Sequence, residues 1–174
     1  FQVELIRSRT ANVMNDRLLL AGMLSSATLI NRFFPTGQVY KEFYKSSENL
    51  FDLLQFPDIW TLGYFKWELE FLETLGFGLD LEKCAVTGST EDLKFISPKS
   101  GRAVSEAAAG DWSSKLLPFP IAASGQVNSL EDVLDGLKVS QFFLEKKVLI
   151  AFGMEHLPSA RSRFISSLER KIKN

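Results

Sequence analysis

The stretch that most constrains the fold is residues 64–105. Its first part carries apolar side chains at the three- and four-residue spacing of an α-helix. They are Tyr64, Phe65, Trp67, Leu69, Phe71, Leu72 and Leu75. Lys66, Glu70 and Glu73 leave only a narrow polar stripe, so we expect this central helix to lie inside a helical core. Gly76 and Gly78 are expected to end it, because glycine readily adopts the left-handed conformation of a helix stop.

A small β-insert is predicted after the central helix. Residues 81–87, 93–96 and 101–104 have the composition of short strands separated by turn residues. Two facing turns are the geometry of a zinc ribbon, but a structural zinc site needs four thiolate or imidazole ligands. Cys84 is the only cysteine and His156 the only histidine. We therefore expect a metal-free insert at about residues 79–108.

Further helices are predicted from apolar periodicity and from capping and proline signals. They span residues 11–34, 37–44, 47–56, 129–134, 141–152 and 158–173. Ser47 and Ser129 are expected to be N-caps. A cluster of Val39, Tyr40, Phe43 and Tyr44 is expected to be core, as are Ile150 and Phe152. The predicted fold is mainly α, a helical bundle with a small metal-free zinc-ribbon-like β-insert.

Three segments of the chain resemble the RecO family of bacterial recombination mediators. They are residues 67–88 across the end of the central helix, residues 95–105 of the insert, and residues 157–164, which resemble the family's closing helix. Many members of the family carry a four-cysteine ribbon in this insert. This chain resembles the branch that keeps the turns and lacks the metal ligands.

The resemblance also implies a domain organisation. RecO-like proteins begin with an OB-fold barrel ahead of the first long helix. Phe1, Val3 and Leu5 alternate with polar residues, as in a half-buried strand. We expect residues 1–10 to be the last strand of that barrel and residues 11–174 to be the helical domain, so that the chain lacks the DNA-binding barrel itself.

Charge and composition narrow the class of protein. The net charge of −1 disfavours a protein that binds nucleic acid over its whole surface. No apolar run is long enough to span a bilayer, so no membrane association is expected. A single cysteine suits a reducing compartment. With the family resemblance, these features predict a cytoplasmic, nucleoid-associated protein.

No catalytic motif is recognisable, and the chain is predicted not to be an enzyme and to need no cofactor. It has no nucleophile elbow, no phosphate-cradling glycine loop and no zinc-protease signature. His156 is expected to be an ordinary surface histidine. Trp60, Trp67 and Trp112 are expected to be core residues rather than base-stacking residues, because no basic residues alternate with them.

Two charged residues fall on apolar helix faces. Glu68 has aromatic neighbours one turn away on either side, and Arg161 lies beside Phe164 and Leu168 on the last helix. A buried charge is costly unless it is paired. We predict that Glu68 and Arg161 form a structural ion pair. The alternative is that Glu68 binds loop amides while Arg161 reaches solvent.

The resemblance implies a site for the acidic, phenylalanine-ending tail of single-stranded-DNA-binding protein. Such a tail needs an apolar pocket for its ring and cations for its carboxylates. The candidate cations lie on the central helix and on the last helix. They are Lys66, Arg161, Arg163, Arg170 and Lys171. The alternative is that these charges only solvate the outer faces of their helices.

Taken together, the resemblance implies a mediator of DNA recombination and DNA damage repair. Such a protein binds single-stranded-DNA-binding protein, works with RecR-type and sometimes RecF-type partners, helps to load recombinase and anneals strands. Single-stranded DNA is expected to bind mainly through the missing OB domain. The alternative is a helical protein–protein adaptor with no role on DNA.

Overall fold

The computed structural model describes residue 9 and residues 13–125 and 129–174, so the predicted strand at the start of the chain lies outside the described residues. Seven α-helices and three short strands are assigned within those ranges. They are α1 (Arg17–Phe33), α2 (Lys41–Asp52), α3 (Pro57–Thr74), β1 (Leu93–Ile96), β2 (Ala103–Ser105), α4 (Glu106–Ala109), β3 (Leu117–Pro118), α5 (Leu130–Phe143), α6 (Leu149–Ala151) and α7 (Ser159–Lys173). The predicted mainly α fold class is confirmed.

The chain divides into two compact units. The first contains the residues up to Tyr64 together with Pro158–Asn174, and the second contains Phe65–Leu157. The helix α3 begins in the first unit and ends in the second. None of the helices in the described ranges is long and apolar enough to cross a membrane.

An aromatic cluster forms the core of the first unit, where α1 and α7 pack together. The ring centroid of Phe164 lies 4.4 Å from that of Tyr64 and 5.9 Å from that of Trp60. The indole N–H of Trp60 donates to the carbonyl of Leu50 at 3.0 Å, which satisfies its polar atom inside the core. On α1, Gly22 leaves room for this cluster, since a Cβ there would overlap the ring of Trp60.

Two helix boundaries of the first unit differ from the prediction. Helix α1 begins at Arg17 rather than at residue 11, because the Asp16 carboxylate accepts from the amides of Leu18 and Leu19 as an N-cap. The helices predicted at 37–44 and 47–56 are largely one helix, α2. The Ser47 hydroxyl donates to the carbonyl of Phe43 at 2.8 Å within that helix, so its predicted N-cap role was wrong.

The predicted core cluster near α2 was half wrong. Phe43 is buried and its ring stacks on that of Phe34, with centroids 4.8 Å apart. Val39 is 81% exposed and Tyr44 is 65% exposed. Val39 precedes the helix, so helical spacing does not carry it to the buried side.

The central helix is confirmed as α3, and its end follows the glycine rule. Gly76 has a φ of +86°, and its amide donates to the carbonyl of Glu73 while that of Phe77 donates to Leu72. This pair of bonds is the Schellman arrangement, which satisfies carbonyls that the helix end leaves open. Trp67 and Phe71 are buried on the part of α3 that belongs to the second unit.

The β-insert holds a three-stranded antiparallel sheet in the order β2-β1-β3, with Phe95 opposite Val104 and Pro118. The strand predicted at residues 81–87 was wrong, since that segment is a series of turns. The prediction also omitted β3, so the insert extends beyond residue 108. The short β3 was hidden because Pro118 argues against a strand, although proline is tolerated at a sheet edge.

The last part of the second unit is one long helical segment rather than two predicted helices. Ser129 and Asp132 form the predicted capping box at its start. Helix α5 continues through a π-helical turn at Leu144–Val148 into α6. Ile150 is 72% exposed and Phe152 is also exposed, so their predicted core positions were wrong. The extra residue of a π-turn rotates the following side chains away from the expected face.

Candidate functional site

Glu68 is a buried carboxylate on α3, as its position among aromatic residues predicts. Its side chain is 0% exposed. The hydroxyl of Ser140 on α5 donates to its Oε1 at 2.5 Å and also lies 3.0 Å from the carbonyl of Leu137. At this length the bond lies at the short end of the range for hydroxyl donors to oxygen.

Arg161 is the second buried charge, on α7 in the first unit. It is 2% exposed. Burial on the apolar face of α7 excludes the alternative in which this guanidinium reaches solvent. The predicted ion pair between Arg161 and Glu68 stays a prediction.

The other predicted cations of α7 are exposed. The guanidinium of Arg163 donates to the hydroxyl of Ser159 at 2.9 Å. That of Arg170 donates to the carbonyl of Ser166 at 3.1 Å and to the hydroxyl of Ser167 at 3.3 Å. These local bonds fix the direction of each arginine without neutralising its charge.

Arg170 and Lys171 share a surface cleft with the start of α1. This cationic cleft has a volume of about 440 Å³ and lies wholly in the first unit. Its lining consists of Asn15, Asp16, Arg17, Leu18, Ser167, Arg170, Lys171 and Asn174. Three cations face one carboxylate, and that carboxylate already accepts two amides as the cap of α1. The cleft therefore offers a positive field to an anionic ligand.

The sequence reasoning missed Arg17 and Leu18 as members of this cleft. Both lie at the first turn of α1, where Asp16 starts the helix. A helix that starts at residue 11 would place Arg17 and Leu18 well inside it. The predicted boundary therefore gave no indication that these two residues lie close to the end of α7. Recognising Asp16 as an N-cap was the signal that would have placed them.

Lys66 lies apart from these residues in the sequence and belongs to the second unit. It is exposed on α3, on the same polar stripe as Glu70 and Glu73. Its exposure agrees with the predicted stripe. Its part in a peptide site stays a prediction.

The Cys84 thiol is buried in the β-insert. Burial opposes ionisation and is the largest single influence on its pKa, but hydrogen bonds from Ser105 and Thr87 together outweigh it and lower the pKa to about 6. The amide and the hydroxyl of Ser105 lie 3.3 and 3.4 Å from the sulfur. Among the described residues, no three His, Cys, Asp or Glu side chains come together as metal ligands would.

Comparison with known proteins places this fold in a family. The family model for the C-terminal part of recombination protein O matches residues 14–153. DNA repair protein RecO of Ruegeria sp. (strain TM1040) is 44% identical over 99% of this chain and 72% of its own length. DNA repair protein RecO of Jannaschia sp. (strain CCS1) is 42% identical over 99% of this chain and 70% of its own length.

A third relative agrees with the first two. DNA repair protein RecO of Roseobacter denitrificans is 39% identical over 99% of this chain and 72% of its own length. No solved structure matches the chain. The family model covers most of the chain, and the relatives are similar along nearly all of it. The chain therefore belongs to the RecO family of recombination and DNA repair proteins.

Proposed function

We propose that this chain acts in DNA repair and recombination as a mediator that binds the acidic, phenylalanine-ending tail of single-stranded-DNA-binding protein. Family membership supports the repair and recombination role. The tail contact is supported by one observation in particular, the cationic cleft formed by Arg17, Arg170 and Lys171.

The cleft matches the chemistry of such a tail. Several carboxylates in succession need several cations, and arginine offers each carboxylate a pair of parallel donors. Leu18 also lines the cleft, with 6% of it exposed. We propose that the tail's acidic residues lie along Arg17, Arg170 and Lys171.

The other cations predicted to bind the tail are assigned different roles according to whether they are exposed or buried. Arg163 is exposed on α7 and is proposed to extend the cationic edge toward the start of that helix. Arg161 is buried, so we propose that it holds α7 in place rather than touching the peptide. Lys66 is proposed as a separate contact, to be tested by its own charge reversal. Docking of RecR-type and RecF-type partners, recombinase loading and strand annealing are proposed from family membership alone.

Peptide titration tests this proposal. A fluorescein-labelled acidic peptide ending in phenylalanine is titrated with the full chain and followed by fluorescence polarisation. We expect saturable binding that weakens with added salt and is lost when the acidic residues are replaced by their amides. Replacing the terminal phenylalanine with alanine is expected to weaken it further, because the ring loses its apolar contact. Equal binding of the amide peptide would contradict the proposal.

A helical adaptor without a role on DNA is the second candidate. An apolar pocket of about 380 Å³ beside α2 favours it, since Phe34, Tyr40, Phe43 and the exposed Tyr44 line that pocket. Aromatic residues in a pocket are typical of protein interfaces. A titration with single-stranded oligonucleotide across a range of salt concentrations separates the two candidates, because an adaptor gives no salt-dependent binding to the strand.

A further inference from the structure

The apolar pocket of about 380 Å³ beside α2 lies wholly within the first unit. Most of its lining is aromatic or aliphatic, and this part consists of Ile30, Phe34, Tyr40, Phe43, Tyr44 and Phe51. Its charged lining residues are Arg9 and Glu48. None of these residues lines the cationic cleft, so this aromatic pocket is a separate feature of the surface with a different chemistry.

The rings of the aromatic pocket are held in a defined arrangement. The ring of Phe34 makes an edge contact with that of Tyr40, with centroids 4.6 Å apart, and it stacks on the ring of Phe43. Tyr44 is 65% exposed, so its side chain is accessible to a ligand. Aromatic faces attract cations, and apolar surface favours the aliphatic part of a long charged side chain. The pocket therefore suits a side chain that has both parts.

Carboxylates of α2 hold a guanidinium at the edge of this pocket. The Nε of Arg9 donates to Asp52 at 2.8 Å, and a terminal nitrogen of Arg9 lies 3.8 Å from Glu48. The hydrogen bond to Asp52 raises the pKa of Arg9 against the effect of burial, and the charges of both carboxylates act in the same direction. The surroundings therefore favour positive charge. Because a carboxylate accepts several hydrogen bonds, Glu48 has acceptor capacity for a second donor.

We infer that the aromatic pocket binds an arginine side chain of a protein partner, with its aliphatic chain on Tyr44 and its guanidinium at Glu48. Arginine pairs with carboxylates and stacks on aromatic faces, and Arg9 shows that this side of α2 accepts a guanidinium. A volume of about 380 Å³ is near the lower limit for ligand pockets, which suits a single side chain. The inference goes beyond the proposed tail site, because it concerns other residues and a partner group of the opposite charge.

Peptide titration with a matched neutral peptide tests the inference. A fluorescein-labelled peptide with one arginine flanked by leucines is titrated with the full chain and followed by fluorescence polarisation. The control peptide carries citrulline in place of arginine, which keeps the shape of the side chain and removes its charge. We expect the arginine peptide to bind about fivefold more tightly at about 50 mM salt. The difference is expected to narrow at about 500 mM salt, where charges are screened.

Variants of the pocket are compared with variants of exposed residues that do not line it. Glu48→Gln is expected to abolish the preference for arginine over citrulline, whereas Glu42→Gln on the same helix is expected to preserve it. Tyr44→Ala is expected to weaken binding of both peptides, because it removes the surface on which the aliphatic chain lies. Val39→Ala, at a position 81% exposed, is its control and is expected to have little effect. Circular dichroism melting confirms that each variant is folded.

Removal of the guanidinium of this chain gives a change of the opposite sign. Arg9→Gln removes a positive charge beside Glu48 and leaves that carboxylate to the ligand. We expect the arginine peptide to bind about twofold or more tightly to this variant, since repulsion between two guanidinium groups is lost. Weaker binding would mean that Arg9 attracts the ligand, and it would overturn the assignment of a cationic ligand.

Three further results would overturn the inference. Equal binding of the arginine and citrulline peptides would mean that the pocket does not recognise charge. Equal losses for Glu42→Gln and Glu48→Gln would mean that the peptide senses only general surface charge. Loss of acidic-peptide binding in Tyr44→Ala, with arginine-peptide binding intact, would assign the pocket to the acidic tail. The acidic peptide is titrated with the same variants, so failure of the tail proposal is seen separately from failure of this inference.

Discussion

The hydroxyl of Ser140 donates to the carboxylate of Glu68 across 2.5 Å, and both side chains are fully buried. The bond joins α5 to α3 within the second unit, between residues 72 positions apart in the chain. A donor to a buried carboxylate offsets part of its desolvation cost, so the bond contributes to holding Glu68 inside an apolar core.

Replacing Ser140 with alanine tests the importance of that bond. We expect the free energy of unfolding to fall by about 1–3 kcal/mol, since one donor to a buried acceptor is lost. Lys138→Ala on the same helix is the control, because it removes an exposed ion pair with Asp135 and is expected to cost under about 1 kcal/mol. Urea melts followed by circular dichroism give both values. Equal costs would mean that burial does not strengthen the Ser140 bond.

The predicted pairing of Glu68 with Arg161 is tested by a double-mutant cycle. We measure urea unfolding of Glu68→Gln, Arg161→Met and the double variant. If the two charges pair, each single change is expected to cost about 3–5 kcal/mol, because it leaves a buried charge uncompensated. The double variant is then expected to cost less than the sum. Additivity within about 0.5 kcal/mol would reject the pairing.

Gly22 is predicted to be intolerant of any side chain. A Cβ on Gly22 would overlap the ring of Trp60 and lie 3.0 Å from Phe164. We therefore expect Gly22→Ala to lower the free energy of unfolding by about 1–3 kcal/mol, despite the better helix propensity of alanine. Leu24→Ala, at an exposed position on the same helix, is expected to have a much smaller effect. A Gly22→Ala variant as stable as the unmodified chain would contradict this prediction, because it would show that the aromatic cluster can accommodate an additional methyl group.

The Cys84 thiol gives a prediction for pH dependence. Its pKa is lowered from 9.0 to about 6 in the folded chain, so the unfolded chain holds the proton more tightly between those values. The contribution to stability is therefore fully present above about pH 9 and is lost as pH falls toward 6. Ser105→Ala removes a hydroxyl donor and is expected to raise the pKa of Cys84.

Ultraviolet absorbance at the thiolate band follows the Cys84 titration directly, with Cys84→Ala as the blank. The difference in unfolding free energy between the unmodified chain and Cys84→Ala isolates this thiol from other titrating groups. A thiol that titrates near its ordinary pKa in both the unmodified chain and Ser105→Ala would contradict the role of these hydrogen bonds.

Long apolar stripes were sufficient to predict the central helix and the last helix, because the spacing of apolar residues within each segment is enough to identify an amphipathic helix. Boundaries that depend on one polar atom were harder to place. Ser47 has the residue type of an N-cap, yet it lies inside α2 and bonds to its own helix. The π-helical turn was not predicted either. Because it changes the helical pitch, it moves Ile150 and Phe152 away from the face on which they were expected to be buried.

In the candidate sites, too, features visible in the local sequence were predicted and features that depend on distant residues were not. Glu68 and Arg161 were placed on apolar helix faces because such a position is visible in the sequence, but whether Arg161 is buried or reaches solvent stayed open until the structure showed it buried. Ser140 was not recognised, because a serine in an amphipathic helix carries no signal of its distant partner. The cleft that joins Arg17 to Arg170 depends on residues far apart in the chain. Only tertiary structure brings such residues together.

The central claim is that the cationic cleft binds the acidic tail, and charge reversal within α7 tests it most directly. Binding of the labelled acidic peptide is measured for the double variant Arg170→Glu, Lys171→Glu and for Lys173→Glu, whose side chain is exposed on the same helix but does not line the cleft. We expect the double variant to lose about tenfold or more in affinity, equivalent to about 1.4 kcal/mol, and Lys173→Glu to stay close to the unmodified chain. Equal affinities for the double variant and the unmodified chain would contradict the claim.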